Sequence, residues 1–231
     1  MHRLSRLLLV TSILLNGFLI FKFINHHYIN LDDVQYVEAR LDVYVQTQNC
    51  GRNFNKIQKV FPQAIAMADE PCTEKEHVFK SYIEPIDKHQ KLLKYSYKYL
   101  ETLKICQSGN KMLCMIVEDD ILFLHKNETT WNNIVLNTMS LFSEDETFWD
   151  CSKRNLWLPK ASNEVKTLCR IFSNDLLPAF TDCLAKYLES VPDTEDKGIN
   201  VLLDRCQNDL KITQKRFLLV NHSGQKSLLR N

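Results

Sequence analysis

Runs of apolar residues predict the core strands of this chain. Between residues 39 and 47, three apolar side chains alternate with polar ones, which is the two-residue period of a half-buried strand. The continuous apolar run over 112–117 predicts a fully buried strand. Weaker patterns over 166–172 and 217–220 predict two further strands.

Apolar residues spaced three and four positions apart predict helices between these strands. The clearest pattern covers 81–107, and Gly109 offers a stop just after it. Asn174 or Asp175 can open another helix that reaches about Glu189. The remaining helical patterns cover 56–68, 131–142 and 193–208. Strands that alternate with helices predict an α/β domain.

Three consecutive acids, Glu118, Asp119 and Asp120, interrupt an apolar run that resumes at Ile121. Acids at the end of a buried strand place hard oxygen ligands at a sheet edge, where a divalent cation and a phosphate can meet. Because side chains alternate along a strand, Glu118 and Asp120 should share one face while Asp119 points to the other. The plain alternative is a strand that stops at Val117 and runs into a solvated acidic turn.

The N-terminal residues have the form of a membrane signal. Two arginines precede an apolar stretch of about 18 residues, roughly 27 Å of helix. The stretch stays bulky and apolar where a cleavable peptide would carry small residues, and acids follow it at Asp32 and Asp33. We therefore expect a single-pass type II protein. Its predicted parts are a cytoplasmic tail (1–6), a signal anchor (7–24), a stem (25–38) and a lumenal domain (39–231).

Charge and cysteine content narrow the function classes. The 29 basic residues nearly balance the 28 acidic ones, which leaves no electrostatic footprint for nucleic acid. Eight cysteines allow full pairing in an oxidising compartment, and sequons at Asn127 and Asn221 are a weaker cue to the same compartment. Five scattered glycines exclude glycine-rich phosphate loops, so a bound phosphate would need a metal or basic side chains.

Three blocks in a fixed order resemble a family of lumenal glycosyltransferases. They are 115–121 (MIVEDDI), followed closely by Trp131, then 196–204 (DKGINVLLD) and 219–228 (LVNHSGQKSL). The likeness is to the post-GPI-attachment N-acetylgalactosamine transferases, including fungal relatives, and more distantly to the branching N-acetylglucosaminyltransferases of N-glycans. It implies a GT-A-type α/β fold, a mixed sheet flanked by helices, after one N-terminal transmembrane helix. It also implies a Golgi or endoplasmic reticulum membrane location.

The resemblance also implies roles for individual residues. In this family Mn²⁺, or another divalent cation, bridges the acidic motif and the diphosphate of a UDP-sugar. The implied direct metal ligand is Asp120, with Glu118 as a second contact, while Asp119 would face the ribose or the sugar. His222 is the implied late ligand to the metal or the diphosphate, and Arg52 could contact phosphate or base.

Sugar transfer with inversion also needs a general base near the acceptor hydroxyl. In the family an acid tends to occupy the position of Asn200, and an amide cannot accept a proton at neutral pH. Asp196 and Asp204 each lie one helical turn from Asn200 and are the alternatives. Either could equally be a surface residue on the helix.

The residues support three hypotheses of function. The first is a metal-dependent transferase that moves a sugar, by resemblance GalNAc, from a UDP-sugar to a GPI-anchor glycan, with an N-glycan-branching enzyme as its nearest alternative. The second is a catalytically inactive lumenal protein of the same fold, suggested by Asn200 and the short length. The third is a secreted, disulfide-stabilised ligand with chance acids. None of the three involves nucleic acid.

Overall fold

The apolar runs form the strands of one mixed sheet. The computed structural model describes residues 39–50, 54–80, 88–123, 148–152, 169–190, 198–212 and 214–222. The strands are β1 Leu41–Gln46, β2 Ile65–Ala68, β3 Glu76–Val78, β4 Leu113–Glu118, β5 Ile121–Phe123, β6 Phe148–Ser152, β7 Cys169–Ser173 and β8 Gln214–His222. Their order in the sheet is β3-β2-β1-β4-β7-β6-β8-β5.

Helices cover both faces of this sheet. They are α1 Phe54–Val60, α2 Lys88–Ser108, α3 Leu177–Ser190 and α4 Ile199–Asp209, and a 3-10 turn at Asn174–Leu176 leads into α3. Phe54 and Ile57 of α1 pack on one face of the sheet. The apolar sides of α2, α3 and α4 pack on the other. Since strand side chains alternate, Met115 and Val117 of β4 enter the first core while Ile116 enters the second.

Four neighbouring strands, β3, β2, β1 and β4, are parallel. In β1 and β4 the register pairs Gln46 with Glu118, the last residue of each strand. The carboxyl ends of these strands therefore lie at one edge of the sheet. The next strands, β7 and β6, run antiparallel to their preceding neighbours, and β8 pairs parallel with β6 and antiparallel with β5.

Three disulfides tie successive elements together. They join Cys50 to Cys72, Cys106 to Cys114 and Cys183 to Cys206. The first links the segments after β1 and β2, the second links the end of α2 to β4, and the third links α3 to α4. All eight cysteines lie in the described residues, and Cys151 and Cys169 are buried thiols.

The α/β prediction is confirmed, and so are the predicted strands over 39–47 and 112–117. The long second helix ends at Ser108, and the N–H of Gly109 donates to the carbonyl of Cys106 at 3.0 Å. A side chain at Gly109 would meet the Asp42 carboxylate, because a Cβ built there lies 2.9 Å from Oδ2. The predicted helix and strands over 174–189, 166–172 and 217–220 are present as α3, β7 and β8 with shifted ends.

One helical prediction is wrong beyond Val60. The helix predicted over 56–68 ends at Val60, and Ile65–Ala68 forms β2. Pro62 follows, and proline has no N–H to extend a helix. Beyond it the chain gains a parallel partner, with Val45 opposite Ala66, and that long-range pairing outweighs local helical spacing.

Several expectations fall outside the described residues. They are the tail (1–6), the signal anchor (7–24), the stem (25–38) and the helix predicted over 131–142. In the part of the chain that the structure describes, no helix is both long enough and apolar enough to cross a membrane. Strands β3 and β6 were not predicted, because each is short and lacks a clear alternating pattern.

Candidate functional site

The three acids lie at the carboxyl edge of the parallel strands. Glu118 ends β4, Asp119 and Asp120 form a turn, and Ile121 begins β5. The backbone N–H of Asp119 donates to the carbonyl of Gln46 at 3.1 Å, which fixes the turn beside the end of β1. In open α/β sheets ligands bind beyond the carboxyl ends of the strands, so this acidic turn occupies the position where a ligand site is expected.

The carboxylates of this turn point to different neighbours. The hydroxyl of Tyr95 on α2 donates to Glu118 Oε1 at 3.1 Å. The hydroxyl of Thr47, just after β1, donates to Asp119 Oδ2 at 2.6 Å. Both carboxylate oxygens of Asp120 are shielded from solvent. The acids are thus held in a structured, half-buried turn rather than a solvated one.

The charges of two of the acids act on Tyr95. Burial raises the pKa of Tyr95 well above its usual value, and the charges of Glu118 and, more weakly, Asp120 raise it further. Tyr95 therefore stays protonated at neutral pH and can donate to Glu118. Asp119 accepts a hydrogen bond from Thr47, and its charge also acts on Lys98 of α2, so the expected alternation of the three acids stays a prediction.

A buried lysine lies beside the acidic turn. Lys98 of α2 donates to the carbonyl of Thr47 and to Asp69 Oδ1, the latter at 2.9 Å. Asp69 follows β2, and Lys94 lies 3.5 Å from its other oxygen. Burial lowers the pKa of Lys98, while the charges of Asp69 and, less strongly, Asp119 oppose that shift. One ammonium group thus connects the ends of β1 and β2 next to the acids.

The sheet places the backbone of His222 next to the residue that follows the acidic turn. His222 is the last residue of β8, and the register of β8 with β5 pairs it with Ile121. Ile121 directly follows Asp120, so the backbone brings two sequence blocks about 100 positions apart to the same place. Asn221, the sequon asparagine, pairs with Leu122 in the same ladder.

Within the part of the chain that the structure describes, no observed contact brings the remaining candidates to this turn. Arg52 and Asp196 lie outside the described residues. Asn200 and Asp204 are half-buried on α4, one turn apart. The apolar side of that helix packs with α2 and α3, and its Cys206 is bonded to α3. The roles of all four residues stay predictions.

The donor set of the acidic turn is of the kind that a hard divalent cation prefers. Carboxylate oxygens suit Mg²⁺ and Mn²⁺, and such sites commonly use one or two carboxylates together with substrate phosphates. The turn does not form a closed cage. In the described residues the only three ligand atoms within 4.8 Å of one another belong to Cys50, Cys72 and Glu76, and the two cysteines form a disulfide.

Four residues around the turn could not be selected from the sequence alone. Tyr95 and Lys98 lie within a long helix, where polar residues usually belong to a solvated face. Asp69 would have stood out at the end of a strand if β2 had been recognised. Thr47 was the last residue of the first predicted strand, and its contact with Asp119 depends on the pairing of β1 with β4.

Comparisons with known proteins leave the family open. No family model and no curated protein matches the sequence. The structure is similar to the crystal structure of a glycosyltransferase involved in the glycosylation of the major capsid of PBCV-1. The TM-score is 0.49 at 8% sequence identity, over 80% of this chain and 94% of that chain.

Proposed function

We propose that this chain is a metal-dependent glycosyltransferase of the secretory pathway that takes its sugar from a UDP-sugar. The observation that carries the proposal is the acidic turn at the carboxyl edge of β1 and β4, with His222 of β8 paired beside it. A turn with buried carboxylate oxygens at this edge can hold a cation against a diphosphate.

In this proposal Asp120 holds the cation, and His222 is the candidate second protein ligand. Bound there, the cation would offset the charge that builds on the departing UDP. Tyr95 fixes Glu118, and Thr47 fixes Asp119. These two hydrogen bonds hold the carboxylates of Glu118 and Asp119 in place. The turn therefore need not reorganise when the sugar donor binds.

The acceptor is proposed from the sequence resemblance, as a GPI-anchor glycan that receives GalNAc. A membrane anchor over 7–24 would keep the domain close to lipid-linked glycans, which suits such an acceptor. An N-glycan-branching N-acetylglucosaminyltransferase is the alternative within the same chemistry. Offering both acceptor types with UDP-GalNAc and UDP-GlcNAc, and measuring which product forms, separates these two activities.

The test of the metal assignment is nucleotide binding. The full-length chain should bind UDP by calorimetry when Mn²⁺ is present and lose that binding when the metal is chelated. Asp120→Asn should abolish Mn²⁺-dependent binding, because the amide keeps the shape of the carboxylate but not its charge. Asp182→Asn on the exposed side of α3 is the matched control and should bind as the unmodified chain does.

Both variants should be compared by thermal unfolding, so that lost binding is not confused with lost folding. Unchanged UDP affinity in a folded Asp120→Asn variant would remove Asp120 from the metal site.

A second candidate function is a lumenal binding protein that does not catalyse transfer. Asn200 favours it, because an amide lies at the position where the resemblance leads us to expect an acid. Asp204 is half-buried on the same helix and is the nearest described carboxylate in sequence. Release of free UDP from a UDP-sugar would exclude the binding-only function, and a loss of that release in Asp204→Asn with intact UDP binding would identify the base.

A further inference from the structure

Two thiols lie opposite each other on neighbouring strands. β6 and β7 are antiparallel, and their register pairs Trp149 with Ile171 and Asp150 with Arg170. One step further along each strand, the next opposed residues are Cys151 and Cys169. Opposed residues in antiparallel strands have Cα atoms about 4.5–5.5 Å apart, which lies within the range that a disulfide spans.

The alternation of side chains turns both thiols to the same face. Asp150 and Arg170 form an ion pair at 3.6 Å, and the next pair must point to the opposite side of the sheet. Cys151 and Cys169 accordingly both belong to the core that packs against α1, each with 0% exposure. The Cys151 thiol donates to the carbonyl of Trp149 at 3.9 Å, and the register together with the shared core places the Cys169 thiol next to it.

The other six cysteines show that the chain is compatible with an oxidising compartment, since they form three disulfides. We propose that Cys151 and Cys169 form a fourth disulfide, which joins β6 to β7 across the segment 152–168. This proposal does not depend on the proposed enzymatic function, because it requires only a compartment in which the other three bonds also form.

The bond forms by thiol–disulfide exchange with a donor disulfide, either of a protein oxidoreductase or of oxidised glutathione. The two cysteines lose two protons and two electrons as the S–S bond forms, and the donor disulfide takes them up to become two thiols. Burial raises the pKa of the Cys151 thiol, and Cys169 beside it raises it further. Because the thiolate is the reactive form, the exchange belongs to folding, before the pair is enclosed in the core.

The test is a count of thiols in the full-length chain made in a secretory compartment. The protein is denatured without reductant in excess N-ethylmaleimide, and the intact mass is measured before and after reduction. We expect no labelled cysteine before reduction and eight after it, with a peptide that links Cys151 to Cys169. Two labelled cysteines at these positions, or a link from either one to another cysteine, would overturn the proposal.

Two variants supply the matched control. Cys169→Ser leaves Cys151 without its partner, so one cysteine should be labelled before reduction, whereas Cys151→Ser with Cys169→Ser should show none. The double variant should also unfold at a lower temperature than the original chain in the absence of reductant, by several degrees. After reduction of both proteins that difference should shrink, since neither then has this bond and both have also lost the other three.

Discussion

Two ion pairs differ in their position relative to the sheet: one joins a helix to the carboxyl edge of the strands, and the other joins two strands. Lys98 meets Asp69 at the carboxyl edge, at 2.9 Å, and the Asp69 side chain keeps 22% of its exposure. Arg170 meets Asp150 at 3.6 Å in the body of β6 and β7, where the side chains are 0% and 1% exposed. The first pair can reach solvent and the second cannot.

This difference assigns the two pairs to different tasks. At the carboxyl edge of the sheet, Lys98 also donates to the Thr47 carbonyl, and the charge of Asp119 acts on it. A bound ligand could replace one of these interactions of Lys98. The Arg170 guanidinium, between two strands, is shielded from solvent and from a ligand in solution. Burial lowers the pKa of Arg170, and the charge of Asp150 opposes that shift. We infer that the Lys98 pair belongs to the candidate site and the Arg170 pair belongs to the fold.

The largest expected effect comes from breaking the enclosed pair. Arg170→Met leaves the Asp150 carboxylate buried without its cation, which costs about 3–5 kcal/mol in comparable cases. The free energy of unfolding, measured by urea denaturation, should fall by that amount.

The control removes both charges at once. Arg170→Met combined with Asp150→Leu replaces the pair with apolar side chains, and such replacements are often neutral or stabilising. The double variant should therefore recover most of the lost stability. If it is as unstable as Arg170→Met alone, the cost does not arise from an uncompensated charge and the comparison of the two pairs fails.

Breaking the Lys98–Asp69 pair should cost less stability than breaking the Arg170–Asp150 pair, but it should weaken UDP binding. In Lys98→Met the carboxylate of Asp69 keeps Lys94 at 3.5 Å and some solvent, so unfolding should become easier by only about 1–3 kcal/mol. Mn²⁺-dependent UDP affinity should fall about tenfold, equivalent to about 1.4 kcal/mol. Intact UDP affinity in a folded Lys98→Met variant would separate this pair from the site.

The positions of these residues also explain which of them could be predicted from the sequence. The acidic turn was predictable because an unbroken apolar run stops at three acids, which is a local signal. Lys98 was not, because nothing near it in sequence shows that it covers the ends of β1 and β2. Arg170 lies within a segment predicted as a strand, yet its partner Asp150 lies on β6, which has no clear pattern of its own.

The same limit applies to the fold. The helix predicted over 81–107 depends on contacts within a few turns, and the structure confirms it over Lys88–Ser108. Residues 65–68 have similar local spacing, but they become β2 because β1 lies beside them. The pairing of His222 with Ile121 is a long-range event of the same kind. Local patterns predict elements, while strand neighbours decide which elements and site residues meet.

A third prediction concerns the stability of the fold at alkaline pH and its dependence on the buried Tyr99. Tyr99 is fully buried, and burial raises the pKa of its hydroxyl well above the usual value although Arg170 opposes the shift. The folded state therefore keeps the proton that the unfolded chain releases above its pKa of about 10. The raised pKa of Tyr99 therefore contributes to the free energy of unfolding below about pH 10. This contribution is lost as the pH rises toward the pKa in the folded state, by up to about 1.4 kcal/mol per pH unit.

Tyr99→Phe removes this titration, so its free energy of unfolding should decline less steeply above pH 10 than that of the original chain. In the described residues the Tyr99 hydroxyl has no hydrogen-bond partner, so the variant should be about as stable as the original chain at pH 7. Urea unfolding at pH 7 and at several values above pH 10 measures both effects. Parallel pH profiles would show that Tyr99 does not titrate differently in the two states.

The smallest effect is expected from removing one hydroxyl group beside the acidic turn, that of Thr47. Thr47→Val keeps the shape of the side chain but removes the hydrogen bond to Asp119 Oδ2 at 2.6 Å. We expect a loss of about 1 kcal/mol in unfolding free energy and a few-fold loss of Mn²⁺-dependent UDP affinity, because Asp119 is no longer held. Thr181→Val on α3 is the matched control, since its buried hydroxyl has no partner among the described residues. That variant should leave both quantities nearly unchanged, and equal effects from the two substitutions would mean that the Thr47 hydroxyl does not position the acidic turn.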